Sequence, residues 1–234
     1  MSSDNTCRLW HWQTQQELRT LKGHKDEVNG LSFHPTQNLV ATGSDDRAVH
    51  IWDIETGVNV AKLIGHRNSV YGVCFQPTSD VLASVSFDWM ALIWDRRSGN
   101  VVQALEGHRD DIIGVDFSGD GHLLATGSDD NTCHVWDTRT WRVLEVLRSS
   151  DSEVKRCVFS PYSKALITTS GDGTARIWDV QDWTLSETLE GHDDHVFDAA
   201  WGPEADLIVT ASHDKTWRSF VPDYDDADDE DDED

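Results

Sequence analysis

Histidine, aspartate, serine or threonine, and tryptophan recur in this chain in step. These are residue types from which proton-transfer and metal sites are assembled. Gly-His stands at Gly23-His24, Gly65-His66, Gly107-His108 and Gly191-His192. Aspartate holds Asp4, Asp46, Asp88, Asp130, Asp172 and Asp214. Hydroxyls hold Thr42, Ser84, Thr126, Thr168 and Thr210, with a second series at Ser44, Ser86, Ser128, Ser170 and Ser212. Trp10, Trp52, Trp94, Trp136 and Trp178 complete the set, and Phe220 takes the sixth place. Each series advances by 42 residues, so the chain is a repeat before it is anything else. A buried indole N–H needs an acceptor, and a buried carboxylate needs donors, one of which a histidine supplies. Within each copy the four residue types therefore read as internal fastening rather than as catalysts.

Little other chemistry is available. His11 falls after Trp10 in the slot that Asp53, Asp95, Asp137 and Asp179 hold, and His50, His122, His134, His195 and His213 are scattered over different copies. No HxxxH or paired His-Cys spacing is present, nor a P-loop or dinucleotide glycine fingerprint. An enzyme, a cofactor or a metal is not expected. Cys7, Cys74, Cys133 and Cys157 form no CxxC pair, and Cys7 and Cys133 occupy one slot on different copies. All four read as reduced thiols of an intracellular protein, cytoplasmic first, with nucleus, cilium or cytoskeleton as alternatives.

The elements that position these residues are strands. In the first complete copy, Val28–Phe33, Leu39–Ser44, Ala48–Asp53 and Val58–Leu63 are apolar runs. They are separated by His34-Pro35, Asp45-Asp46-Arg47 and Glu55-Thr56-Gly57. Phe33, Phe75, Phe117, Phe159 and Trp201 form one more series. Helical periodicity is absent. Complete copies fall at 28–63, 70–105, 112–147 and 154–189, with partial ones at about 4–21 and 196–221. Two strands precede the complete copies and three follow them. Four short antiparallel strands per copy make one blade of a β-propeller.

Net charge is −24 over 234 residues. Residues 223–234, DYDDADDEDDED, hold ten of the acidic groups and read as a disordered tail. The propeller then occupies 1–222 and carries −14. Such a surface repels nucleic-acid phosphate and favours a basic partner. No run reaches membrane-spanning length, so no membrane insertion is expected.

Gly-His, a turn Asp and Trp-Asp at this spacing resemble the WD-repeat β-propeller family, and the likeness covers about residues 4–221. The resemblance implies a hydrogen-bonded chain in each blade of His24, Asp46, Thr42 (or Ser44) and Trp52, and their counterparts. It also implies rings that most often have seven blades, closed when one terminus completes the blade of the other. Here both ends offer a third strand, and Met1 aligns with Gly43 in mid-blade. The expectation is an incomplete ring lacking an upstream portion. A tight five-bladed ring, or an open arc whose edges a partner covers, stands as the alternative. Ser149-Ser150 replaces Gly-His once, leaving that blade without its histidine.

Function is sought where copies depart from the pattern. Phe87, Trp89 and Met90 surround Asp88 in a turn that is polar in most other blades. Arg67 and Arg109, with Asp110, Asp111, Asp151, Asp193 and Asp194, rim the same face. Arg156 and Asp198 interrupt the Gly30, Gly72, Gly114 series near the ring interior. On the opposite face Trp94-Asp95-Arg96-Arg97 and Trp136-Asp137-Thr138-Arg139 both read Trp-Asp-x-Arg. They resemble the box of WD-repeat substrate receptors of cullin-RING ubiquitin ligases. Trp141 and Trp183 stand nearby, where Gly57 and Gly99 make turns. The leading reading is a non-catalytic scaffold or adaptor for protein or peptide partners. A receptor docking on a ubiquitin-ligase adaptor through Arg97 and Arg139 is one alternative. An acidic escort for a basic client protein is the other.

Overall fold

The structure, a computed structural model, describes residues 2–148 and 151–222. The two serines at 149–150 and the acidic run from 223 lie outside the described residues. Twenty-one strands are present and no helix among the described residues. A two-stranded sheet comes first, β1 (Thr6–Trp10) with β2 (Glu17–Lys22). The first four-stranded sheet holds β3 (Val28–Phe33), β4 (Leu39–Ser44), β5 (Ala48–Asp53) and β6 (Asn59–Ile64). The next holds β7 (Val70–Phe75), β8 (Val81–Ser86), β9 (Ala91–Asp95) and β10 (Asn100–Leu105). It is followed by β11 (Ile112–Phe117), β12 (Leu123–Ser128), β13 (Thr132–Asp137) and β14 (Arg142–Arg148). The fourth comprises β15 (Val154–Phe159), β16 (Ala165–Ser170), β17 (Ala175–Asp179) and β18 (Leu185–Leu189). A three-stranded sheet ends the series, β19 (Val196–Trp201), β20 (Ile208–Ser212) and β21 (Trp217–Phe220). Every sheet is an antiparallel meander in chain order.

The burial of each strand follows from its place in the blade. The second strands β4, β12 and β16 are buried at nearly every residue, because neighbouring sheets cover both faces. The outermost strands β6, β10 and β14 are mostly exposed. Between sheets, Leu39, Ala41, Val49 and Ile51 of one blade pack on Val70, Val73, Phe75 and Leu82 of the next. The inner strands come close enough that a Cβ on Gly30 would lie 2.5 Å from the Tyr71 carbonyl. Glycine is needed there on steric grounds alone.

The outer strand begins one residue later than its apolar run suggests, at Asn59. A register shift at Ile51/Trp52 pairs Trp52 with Asn59, and the Val58 carbonyl closes the preceding turn by accepting the Asp53 N–H at 2.9 Å. The arc does not close: among the described residues no ladder joins β1–β2 to β19–β21. The architecture is all-β, with propeller-type blades in an incomplete ring.

Candidate interaction face

The repeated polar residues meet inside each blade. His24 Nδ1 lies 3.0 Å from Asp46 Oδ2, His24 Nε2 lies 2.7 Å from Thr42 Oγ1, and Trp52 Nε1 donates to that hydroxyl at 2.8 Å. A carboxylate only accepts, so His24 Nδ1–H donates to Asp46. Nε2 is then free to accept the Thr42 O–H, whose oxygen takes the indole proton. Asp46 Oδ2 also accepts the Lys25 N–H, and Oδ1 the Ala48 N–H. Burial pushes the Asp46 carboxyl up, but the Lys25 N–H and His24 outweigh it and hold it below the usual range.

The same chain runs through His66, Asp88, Ser84 and Trp94, and through His108, Asp130, Thr126 and Trp136. In the last sheet His192, Asp214 and Thr210 are joined alike. Ser44 acts on the loop instead, where its hydroxyl donates to the Asp26 carbonyl and accepts the Asp46 N–H. In the blade of β15–β18, Trp178 donates to Thr168, and Arg176 reaches Asp172 at 2.8 Å in the place of the imidazole. Arg8 does the same for Asp4 at 2.7 Å. Arg8, His50, Leu92, His134 and Arg176 share one slot, so the replacement could have been found by reading that series beside the missing Gly-His.

That slot also holds two histidines whose placement the sequence reading missed. His50 stacks on His24 at 3.9 Å and 16°, and His134 on His108 at 3.8 Å and 19°. Donor atoms of His24, Asp46 and His50, and of His108, Asp130 and His134, lie within 4.8 Å of one another. A shared metal ion would need ring planes that converge on it. These run side by side, and His24 has already engaged Asp46 and Thr42. The arrangement fits stacking rather than chelation. Both His50 nitrogens and His134 Nδ1 are buried without a hydrogen-bond partner. Burial, followed by the neighbouring imidazole, pushes both rings down to about 4.

The face formed by the Gly-His loops and Asp turns divides the apolar trio. Met90 packs into the core. Phe87 is half-buried and stacks on Tyr71 at 5.2 Å and 16°. Of the three candidates at this turn, only Trp89 is open to solvent, 50% exposed. Its backbone sits at φ 67°, the left-handed slot that Arg47, Asn131 and Gly173 fill in other blades. Its Nε1–H reaches Asp111 Oδ1 at 3.2 Å. The Asp111 carboxyl is raised, first by burial and then by Asp110 and Asp129, against the pull of Trp89. Lys155 Nζ lies 2.9 Å from Asp129 and 3.6 Å from Glu153. Further round, Phe197 is exposed between His195 and His213, and His213 Nδ1 holds Asp194 at 2.9 Å. Tyr71, Lys155 and Phe197 went unnoticed in the sequence although they share a slot with Asn29.

The other candidates fall elsewhere. Arg67 and Arg109 are exposed and give their backbone N–H groups to Asp88 and Asp130. Arg156 Nε lies 3.2 Å from Asp198 across the inner strands, so the two interruptions of the glycine series face each other as an ion pair. On the opposite face Arg97 pairs with Asp80, and Arg139 with Asp137 at 2.9 Å, both guanidinium groups remaining exposed. Trp141 and Trp183, at φ 55° and 61°, pack partly buried against the cores of their blades. They do not build an open apolar surface beside Arg139.

Blades of this topology, fastened by Asp, His, hydroxyl and Trp, define a propeller-repeat protein. The chain belongs to the family described as "WD domain, G-beta repeat", whose model matches residues 15–53, 57–95, 99–137, 141–179 and 183–220. Shorter similarities run to a polyadenylation factor subunit 2 of Schizosaccharomyces pombe, 38% identical over 47 residues, and to a nuclear distribution protein PAC1-2 of Postia placenta, 49% over 35. A guanine nucleotide-binding protein subunit beta of Zea mays is 44% identical over 46 residues. These stretches cover 20%, 15% and 19% of this chain, and 9%, 8% and 12% of the three relatives. WD-repeat proteins are typically non-catalytic scaffolds that mediate protein–protein interactions.

Proposed function

We propose that this chain is a non-catalytic scaffold whose Gly-His face holds a basic protein segment, with Trp89 as its anchor. The observation that carries the reading is Trp89 itself. A half-exposed indole on a left-handed turn, where non-glycine residues pay about 1 kcal/mol or more, stands beside Asp110, Asp111 and Asp129. Trp is a frequent anchor of protein interfaces, and a raised carboxyl among other carboxylates is relieved by an arriving cation. The three relatives act in different processes by their names, which fits a shared scaffold chemistry rather than one partner.

A second reading has its own support: Arg97 and Arg139 are exposed on adjacent blades of the opposite face, where a ubiquitin-ligase adaptor would dock. Purification of tagged chain from cells, with partners identified by mass spectrometry, separates the two. Partners lost with Trp89→Ala and kept with Arg97→Ala/Arg139→Ala support the scaffold face. The reverse pattern, with ligase adaptor among the lost proteins, supports the receptor. Deleting residues 223–234 tests the acidic-escort variant, since its client would then bind with less salt sensitivity.

A further inference from the structure

We infer that the outer strand β10 pairs with β10 of a second copy of this chain, forming a weak antiparallel dimer independent of the Gly-His face. Each complete blade ends in an outer strand, β6, β10, β14 or β18, that is hydrogen-bonded on one side only. The other side leaves backbone N–H and C=O groups unpaired, and folded proteins commonly guard such edges with charged side chains. Three of the four strands do so. β6 carries Lys62, β18 carries Glu187, and β14 carries Arg142, Glu145 and Arg148. β10 reads NVVQAL and carries no charge. Its first four residues are exposed, Val101 at 42% and Val102 at 56%.

Side chains at the edge add a second difference. On β14 the Glu145 carboxylate folds back and accepts the Val146 N–H at 3.0 Å. On β10 the same slot holds Gln103, whose amide donates to the Ala104 carbonyl at 3.1 Å. The ionised cap is the stronger of the two and brings its charge with it. The neutral cap is exposed, and a backbone N–H of a neighbouring strand can replace it at that carbonyl. The bulge does not set β10 apart. All four outer strands shift register at the equivalent place, with the extra residue at Val60, Val102, Leu144 and Ser186.

Charge also names the occupant. When a strand pairs antiparallel with its own copy, residues near its middle lie opposite or diagonal to themselves. Lys62, Glu145 and Glu187 are all near mid-strand. Self-pairing of β6, β14 or β18 would therefore set like charges together, which destabilises a pair. Among these four edges, β10 against β10 is the one pairing that includes no charged strand, and it covers the exposed valines. A six-residue edge is a small contact, under the roughly 1,200 Å² of stable complexes. Each copy also carries −24, so association strengthens as salt screens the repulsion. A basic partner on the Gly-His face would respond to salt in the opposite sense.

Sedimentation equilibrium of the full chain in low and high salt, up to about 0.5 mM, tests this. The average mass should rise from one chain toward two, with a dissociation constant of the order of 0.1 mM in high salt. Gln103→Glu installs the residue that β14 and β18 already hold in this slot. It should keep the melting temperature and weaken the dimer about ten-fold. Val102→Lys should act alike, whereas Val60→Lys on β6 and Trp89→Ala should leave the dimer intact. Amide hydrogen exchange reads the edge in the unaltered chain: residues 100–105 should slow with concentration and 59–64 should not. A chain that stays monomeric at the top concentration overturns the inference. So does a dimer that Gln103→Glu and Val102→Lys leave unchanged, that Trp89→Ala abolishes, or that leaves exchange at 100–105 unaltered. Slowing of 100–105 in a monomeric chain by a co-purified protein also overturns it, since a foreign strand would then be the occupant.

Discussion

At the scale of single residues, the polar sets of the blades are closed systems. Thr126 Oγ1 joins His108 to Trp136 at 2.8 and 2.9 Å, all within the buried interior. Thr126→Val leaves an imidazole nitrogen and an indole N–H unsatisfied, and should lower unfolding free energy in denaturant by about 1–3 kcal/mol. The stacked rings give a prediction of opposite character. His50 and His134 titrate near 4 in the fold and near 6.5 when unfolded. The unfolded chain thus binds more protons between those values, and the folded state loses stability as pH falls from about 6.5 toward 4. Leu92 already fills this slot in one blade. The double variant His50→Leu/His134→Leu should therefore fold normally and show a flatter decline of melting temperature over that range. An unchanged slope would mean that other groups set the acid sensitivity.

At the scale of elements, the strands and their order were legible because a 42-residue period makes every copy a witness to the others. What escaped were pairs assembled across strands. His50 on His24 and Phe87 on Tyr71 join residues whose register depends on the bulges and on the facing loop. No local pattern encodes those. Met90 was misplaced for a related reason: beside two aromatics it looked like part of a surface cluster, but it follows the left-handed turn residue and points into the blade interface. Inner strands are also stitched to one another. Ser32 Oγ accepts the Phe75 N–H at 3.2 Å, and Asp116 Oδ2 accepts the Phe159 N–H at 2.9 Å. Burial raises the Asp116 carboxyl to about 6 despite that bond. Relative to the unfolded chain the fold favours its neutral form, so its contribution is present at acid pH and lost as pH rises through about 6. Asp116→Asn keeps an acceptor for Phe159 and should raise the melting temperature above pH 6, with little effect near pH 4.

At the scale of the whole molecule, the repeat fixes the blade and leaves function to the exceptions. The exceptions separate by face. Trp89 with its carboxylates occupies the Gly-His side, and Arg97 and Arg139 the other. A net charge of −24 adds a long-range pull on basic partners that salt screens. The fastening residues and the anchor should then respond differently to mutation, because one group holds the fold and the other meets a partner. The most direct measurement takes Trp89→Ala and wild-type chain side by side, recording the thermal transition and the binding isotherm for a partner recovered with wild-type protein. The predicted result is a melting temperature within about 2 °C of wild type and at least about a ten-fold loss of affinity. A collapse of the thermal transition, or a stable variant that binds its partner as wild type does, would contradict the assignment of this face.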